Sequence, residues 1–295
     1  MKPRVGFIGL GVIGAPMAGR LLEQGFPLLV WNRTPSRADS LVARGAHRAA
    51  TPRELASAAD LVITMVTDGA ALREVVERAD GLAAGLAAGK VHCDMSTIDP
   101  ATARNLTDFY AARNAHFLHA PVLGNWRAAQ EGRLLIFAGG ADRAVEQCQP
   151  VFDALGKKVW RWSRPEQATC VKLACNLLLG GLMELLAESL LLASRAGIPP
   201  RTMLEIFAES ALHSPMVQSK GETIAHRKFT PPSFYLRHMR KDLDLALAAA
   251  QELGAHTPAT RAVRDAFAAA EHQRAELDYS AVFEWLEEQS PAPAS

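Results

Sequence analysis

Cysteine is scarce in this chain. Of 295 residues only four are cysteine, and Cys93, Cys148, Cys170 and Cys175 form no CxxC pair and no Cys/His cluster. That spacing argues against a disulfide scaffold or a zinc site and points to buried thiols in a reducing compartment, the cytoplasm. Metal-ligand spacing is also missing among the nine histidines. His116 and His119 do not share a helix face, and His238 lies beside Arg237 and Arg240, so all read as structural or solvated. An excess of one charge is lacking: 32 basic and 31 acidic residues leave a formal net charge of +1. Neither nucleic acid nor a membrane surface is an expected partner. There is no G-x-S-x-G nucleophile motif and no internal repeat. The N-terminus does not read as a signal peptide, because glycines interrupt its apolar stretch and a helix and Arg33 follow it instead of a cleavage site. The one long apolar run, Leu177–Ala193, contains Glu184 and Glu188 and is read as a long buried helix, not a membrane span.

What is present is a patterned globular chain. Hydrophobic residues make up 49% and charged residues 21%, and the length allows one large domain or two ordinary ones. Strands are expected at Val5–Ile8, Leu28–Trp31, Leu61–Met65, Val91–Met95, Phe117–Ala120, Leu134–Ala138 and Lys158–Arg161. Helices are expected at Ile13–Gln24, Pro35–Ala43, Thr51–Ala58, Gly69–Arg78 and Pro100–Asn114. Short apolar strands alternating with helices predict a parallel sheet covered on both faces. From about Gln167 only helical periodicity remains, broken at Gly197–Pro200, His213–Pro215, Phe229–Ser233 and Gly254–Pro258. The fold expected is α/β, with a nucleotide-binding domain over residues 1–163 and an all-helical domain over residues 164–295. The Pro/Ala/Ser tail Gln289–Ser295 is expected to fray.

The stretch VGFIGLGVIGAPMAGRLL places Gly9, Gly11 and Gly14 in a G-x-G-x-x-G turn between the first strand and the first helix. The first glycine permits the tight turn, the second lets a pyrophosphate approach the backbone, and the third lets helix and strand pack closely. Val12 and Ile13 complete this cofactor loop. The second strand ends Val30-Trp31-Asn32-Arg33-Thr34. It lacks the acid that binds both ribose hydroxyls of NAD, and offers a guanidinium with an amide and a hydroxyl. That trio suits the ribose phosphate of NADP (NADPH), with Arg37 one helical turn on. Lys172 and Asn176 are four apart on a predicted helix and share a face. Among Cys170, Val171, Leu173 and Ala174 the lysine is expected to be partly desolvated, which favours proton exchange near neutral pH.

Five ordered motifs, the glycine loop, DMSTI at Asp94–Ile98, APVLG at Ala120–Gly124, VKLACN at Val171–Asn176 and KDLDLA at Lys241–Ala246, make the chain from Arg4 to about Leu286 resemble the β-hydroxyacid dehydrogenases. The Asn32-Arg33-Thr34 loop and FYLRHMRKDL look most like the branch of NADPH-dependent glyoxylate/succinic semialdehyde reductases. The resemblance implies an N-terminal Rossmann domain and an all-helical C-terminal domain joined by one long helix, with dimers or tetramers forming through the helical domain. It implies that Lys172 is the catalytic general acid/base and that Asn176 orients the substrate. It also implies that Thr97 lies near cofactor and substrate, that Met65 and Val66 line the nicotinamide ribose, and that Lys241 reaches the cofactor. Ser96 is a weaker candidate beside Thr97, Asp242 is expected to be a structural partner, and Phe234 and Tyr235 are candidates for a pocket wall.

Two departures stand out. The family's substrate loop reads APVSGG, and here Leu123 replaces the serine and Asn125 the second glycine, with Gly124 kept. One hydroxyl donor is lost and bulk is gained, so Asn125 or Arg127 must supply the donor, or the substrate is larger or less polar. The glycines that usually precede the lysine are replaced by Glu166-Gln167-Ala168-Thr169, which leaves the path of that segment open. The function expected is reduction of a small semialdehyde or glyoxylate-like compound. An imine reductase is the alternative, opposed by the retained Lys172. A non-catalytic binding module is opposed by the same lysine.

Overall fold

The structure, a computed structural model, describes residues 2–290. The chain divides into two compact units that part between Lys172 and Leu173. In the first unit the strands are β1 (Val5–Ile8), β2 (Leu28–Trp31), β3 (His47–Arg48), β4 (Leu61–Thr64), β5 (Val91–Asp94), β6 (His116–His119), β7 (Val122–Leu123), β8 (Leu134–Gly139) and β9 (Gly156–Trp162). They form one sheet in the order β3-β2-β1-β4-β5-β6-β8-β7, with β9 on β8. From β3 to β6 every pairing is parallel. This is the strand order of a doubly wound dinucleotide-binding sheet.

Helices α1 (Gly14–Glu23), α2 (Asp39–Ala43), α3 (Pro52–Ala58), α4 (Gly69–Glu77), α5 (Pro100–Ala111), α6 (Trp126–Gln130) and α7 (Asp142–Leu155) cover the sheet, and α8 (Pro165–Arg195) follows it. Successive strand residues point to opposite faces, and here both faces are apolar. Val5, Phe7, Leu61 and Ile63 pack with Met17 and Leu21 of α1 on one side. Ile8 and Val62 pack with Leu55 of α3, Leu72 of α4 and Leu106 of α5 on the other. That double burial is why the strands read as continuous apolar runs. Side-chain caps start the covering helices: Thr51 accepts from Glu54 N–H, Asp68 from Ala71 N–H and Asp99 from Thr102 N–H.

The sheet is not wholly parallel. β8 runs antiparallel to both β6 and β7, so the far edge departs from the simple alternation read in the sequence. β3 and β7, of two residues each, are too short to show a period. The helix expected over Pro35–Ala43 is a 3-10 turn, Pro35–Ala38, followed by α2. Cys93 and Cys148 are buried as expected, but Cys170 and Cys175 are only half-buried.

The second unit is all-helical, as expected, with α9 (Pro200–Ala208), α10 (Pro215–Ala225), α11 (Leu236–Glu252), α12 (Pro258–Arg274) and α13 (Val282–Gln289) after the greater part of α8. Proline opens α9, α10 and α12, where its missing N–H has no intrahelical partner to lose. Gln289 closes α13, and residues 291–295 of the expected frayed tail lie outside the described residues.

α8 is buried along one side in the single chain. By length and composition it could cross a membrane, and 44% of its most apolar stretch is buried in the protein. Met183, Leu186, Ala187 and Leu190 are buried, whereas Leu178, Leu185 and Leu192 are 61%, 60% and 76% exposed in the single chain. Glu184 sits on the buried side. Burial, with Glu188 adding repulsion, raises its carboxyl from the usual 4.5 to about 7. The folded chain therefore holds a proton that the unfolded chain releases. Stability from this group is full below about pH 4.5 and is lost as the pH rises through about 7. Glu184→Gln is expected to remove a loss of about 2 kcal/mol between roughly pH 5 and pH 8, measured by urea unfolding. The same pH slope in wild type and variant would refute this assignment.

Candidate functional site

The glycine turn is built as the spacing demands. Gly9 has φ +97°, and a Cβ there would lie 2.2 Å from the Met65 carbonyl oxygen. A Cβ on Gly14 would lie 2.0 Å from the Gly9 carbonyl oxygen. Both glycines are therefore required by the fold. Gly11 differs: a Cβ there meets nothing within 4 Å. Ile13, at the start of α1, provides no side-chain cap. Open space over Gly11 and uncapped N–H groups at a helix start fit a pyrophosphate. Gly11→Ala is expected to leave the melting temperature unchanged and to weaken dinucleotide binding at least tenfold, read by fluorescence titration. Gly9→Ala, by contrast, should fail to fold.

The end of β2 is tied to this turn. Leu10 N–H donates to Asn32 Oδ1 at 2.9 Å, and Asn32 Nδ2 donates to the Thr34 carbonyl at 2.9 Å. The Asn32 amide thus shapes the loop from both ends. Arg33, Thr34 and Arg37 stand exposed beyond it. Met65 and Val66 follow β4 and approach Gly9 and Gly14. Val66 N–H donates to Ser96 Oγ at 2.8 Å, which makes Ser96 a buried structural group and leaves the half-buried Thr97 next to it. The glycine turn, Asn32, Met65, Val66 and Ser96–Thr97 therefore converge at the carboxyl ends of β1, β2, β4 and β5, where doubly wound sheets bind ligands.

In the substrate loop, Gly124 has φ +148°, a conformation that favours glycine. Asn125 begins α6, and its Oδ1 accepts from Ala128 N–H at 3.0 Å, so that oxygen is committed to the helix. Leu123 is half-buried and Trp126 is exposed. Arg127 lies over the Trp126 ring, 5.1 Å from its centroid.

Lys172 and Asn176 both lie on α8, 9% and 1% exposed. Residues 166–169 are the first turns of this same helix, so the segment whose path was open is not a loop. In the second unit Asn176 Nδ2 donates to Asp242 Oδ2 at 2.5 Å, and Lys241 Nζ lies 2.8 Å from Asp242 Oδ1. Asp242 is the structural partner expected, and it joins two predicted site residues. Phe234 packs edge-on against Tyr279, with centroids 5.7 Å apart, at the border of the helical core.

Sequence reasoning missed a buried polar network behind the sheet edge. Thr64 Oγ1 and Ser96 Oγ donate to Asp94 Oδ1 at 2.6 and 2.7 Å. His119 Nε2 lies 3.2 Å from the Ser96 carbonyl, and His119 Nδ1 lies 2.7 Å from Thr169 Oγ1. Burial raises the Asp94 carboxyl and lowers both His92, to about 3, and His119. The only signal in the sequence was a polar residue at the end of each of three apolar strands. Among the described residues no cluster could hold a metal ion.

A doubly wound sheet carrying this glycine turn, in a unit that ends on a buried lysine and is followed by a helical one, defines an NAD(P)-dependent oxidoreductase. Comparison with known proteins narrows the class. Residues 4–163 match the NAD binding domain of 6-phosphogluconate dehydrogenase, and residues 167–286 match the NAD-binding domain of NADP-dependent 3-hydroxyisobutyrate dehydrogenase. Glyoxylate/succinic semialdehyde reductase 1 of Arabidopsis thaliana is 35% identical over 95% of this chain and 97% of its own length. A crystal structure of 3-hydroxyisobutyrate dehydrogenase from Salmonella typhimurium is 30% identical, with a TM-score of 0.89 over 96% of this chain and 99% of that one. A reductive aminase from Aspergillus terreus, solved with NADPH and ethyl-5-oxohexanoate, is 25% identical. Its TM-score is 0.64 over 97% of this chain and 100% of that one. The chain belongs to the β-hydroxyacid dehydrogenase family of NAD(P)-dependent dehydrogenases and reductases.

Proposed function

We propose that the protein uses NADPH to reduce a small aldehyde or keto acid of the semialdehyde or glyoxylate type, with Lys172 as the general acid. The observation that carries this is the pair Lys172 and Asn176, polar and buried one turn apart on an apolar helix. NADPH held at Gly11 and the start of α1 would supply the hydride for the carbonyl carbon. Lys172 Nζ gives its proton to the carbonyl oxygen, and an alcohol leaves. Asn176, held by Asp242, orients the substrate, and Thr97 follows the carboxyl end of β5. Gly11 and the start of α1 receive the pyrophosphate, and Lys241 reaches the cofactor.

NADPH is preferred over NADH because no acid follows β2 and Arg33 is exposed there. Arg33→Ala is expected to raise the KM for NADPH about 10- to 100-fold while changing that for NADH less than threefold. Equal losses for both cofactors would remove the argument for the phosphate. The exposed leucines of α8 favour a homodimer or homotetramer formed through the helical unit, and four free cysteines agree with a cytoplasmic setting.

A second reading has one observation in its favour. With Leu123 where the family's loop has a hydroxyl, a carboxylate finds one donor fewer there, which suits a larger or less polar carbonyl, or an imine. The test is NADPH oxidation with glyoxylate, succinic semialdehyde, a larger uncharged aldehyde and a cyclic imine. Turnover of the two acids supports the first reading. Turnover confined to the uncharged compounds supports the second.

A further inference from the structure

The buried network of the first unit does more than satisfy its own polar atoms. Its hydrogen-bond directions can be assigned. Thr64 Oγ1 has one proton and donates it to Asp94 Oδ1 at 2.6 Å, so at 2.8 Å it accepts from His92 Nε2–H. His92 Nδ1 is then an acceptor for the Tyr110 hydroxyl at 3.0 Å. Ser96 Oγ accepts from Val66 N–H and donates to Asp94 Oδ1. Asp94 thereby welds together the ends of β4 and β5, from which the Met65–Val66 and Ser96–Thr97 segments leave.

On its other side Asp94 Oδ2 has no hydrogen bond and lies 3.5 Å from His119 Nε2. His119 Nε2–H donates to the Ser96 carbonyl at 3.2 Å. Burial favours the neutral imidazole, which leaves Nδ1 as an acceptor. The Thr169 hydroxyl has a choice: the Pro165 carbonyl of its own helix at 3.2 Å, or His119 Nδ1 at 2.7 Å. The shorter contact goes outward, to the sheet. All these groups are fully or almost fully buried. At the same place a Cβ on Gly139 of β8 would lie within 3 Å of Arg164, Pro165 and Ala168, so the start of α8 already sits against the strand.

We infer that His119 and Thr169 are positioning residues for the reaction: they bolt the first turn of α8, three residues before Lys172, to the sheet edge that carries Ser96–Thr97. The inference rests on the reading of Lys172 as proton donor. The bolt is not needed to form the helix, because Thr169 without His119 still has the Pro165 carbonyl. Its effect falls on where Lys172 stands, and proton transfer is sensitive to displacements below an ångström.

Thr169→Val, which keeps shape and removes the donor, is the primary variant. His119→Leu also strips Asp94 of its neighbour and tests the same bond with greater disturbance. With whichever substrate turns over, Thr169→Val is expected to lower kcat about tenfold, with NADPH affinity within twofold of wild type, and Thr169→Ser to restore kcat. Lys172→Met is measured alongside. If Lys172→Met is inactive and Thr169→Val has wild-type kcat, the positioning role fails alone. If Lys172→Met keeps its kcat, the proton-donor reading fails, and this inference with it. A third readout needs no substrate: the ring nitrogens of His119, followed by 15N NMR in the full chain. The expected result is a proton on Nε2 and a hydrogen-bonded acceptor at Nδ1 that changes in Thr169→Val. A protonated Nδ1 would overturn the inference whatever the kinetics.

Discussion

Lys172→Met is expected to lower kcat by about 10²- to 10⁴-fold, the range that a positioned general acid contributes. Methionine matches the length and apolar stem of lysine and has no proton to give. The site is 9% exposed, so the melting temperature is measured alongside to separate a lost proton donor from a lost fold. NADPH affinity should stay within twofold, because the pyrophosphate and ribose phosphate contacts are assigned to Gly11, the start of α1 and Arg33. The measurement is steady-state kinetics paired with a fluorescence titration of NADPH. A fall in kcat with unchanged cofactor affinity identifies a group that acts in the chemical step. Retention of kcat within tenfold would move the proton donor elsewhere.

Lys220→Met is expected to destabilise the helical unit by about 3–5 kcal/mol, read from the denaturant midpoint at pH 7. Lys220 Nζ, on α10, donates to both oxygens of Asp278 at 2.7 and 2.8 Å and to Ser233 Oγ at 2.7 Å. The backbone N–H and hydroxyl groups of Ser233 and Ser280 converge on the same carboxylate. Burial alone would raise the Asp278 carboxyl. The Lys220 ammonium and these donors outweigh it and hold the group below its ordinary range. A depressed carboxyl contributes stability that is present above its unfolded value, near pH 4, and is lost as the pH falls through the lower folded value. The contribution of this pair should therefore be kept down to about pH 4 and be lost only in stronger acid. Removing Lys220 leaves a buried, unpaired carboxylate. A loss below about 1 kcal/mol would show that water reaches Asp278 and that the pair is not a buried one.

The comparison of sequence and structure is clearest at three places. The glycine turn was legible because each glycine answers a local demand: φ +97° at Gly9, helix–turn contact at Gly14 and open space at Gly11. The strands β1, β4 and β5 were legible because both faces are buried and, His92 of β5 apart, every residue is apolar or ends the strand. The buried network was not legible, since Asp94, His119 and Thr169 are distant in the chain and nothing local marks them as neighbours. The same holds for Asn176 and Asp242, separated by 66 residues.

By itself, the sequence determined what depends on short-range chemistry. That covers the alternation of strands and helices in the first unit, the helical second unit, the dinucleotide turn and the side of α8 on which Lys172 and Asn176 stand. Only the tertiary structure decided which polar groups meet. It turned β8 against β6, committed the Asn125 oxygen to α6, left four leucines of α8 exposed and brought Thr169 to His119. The physical reason is range. Helical and extended periods are set within a few residues by backbone geometry. The partner of a buried hydroxyl or carboxylate is set by which elements pack against it, and that is known only when the core is assembled.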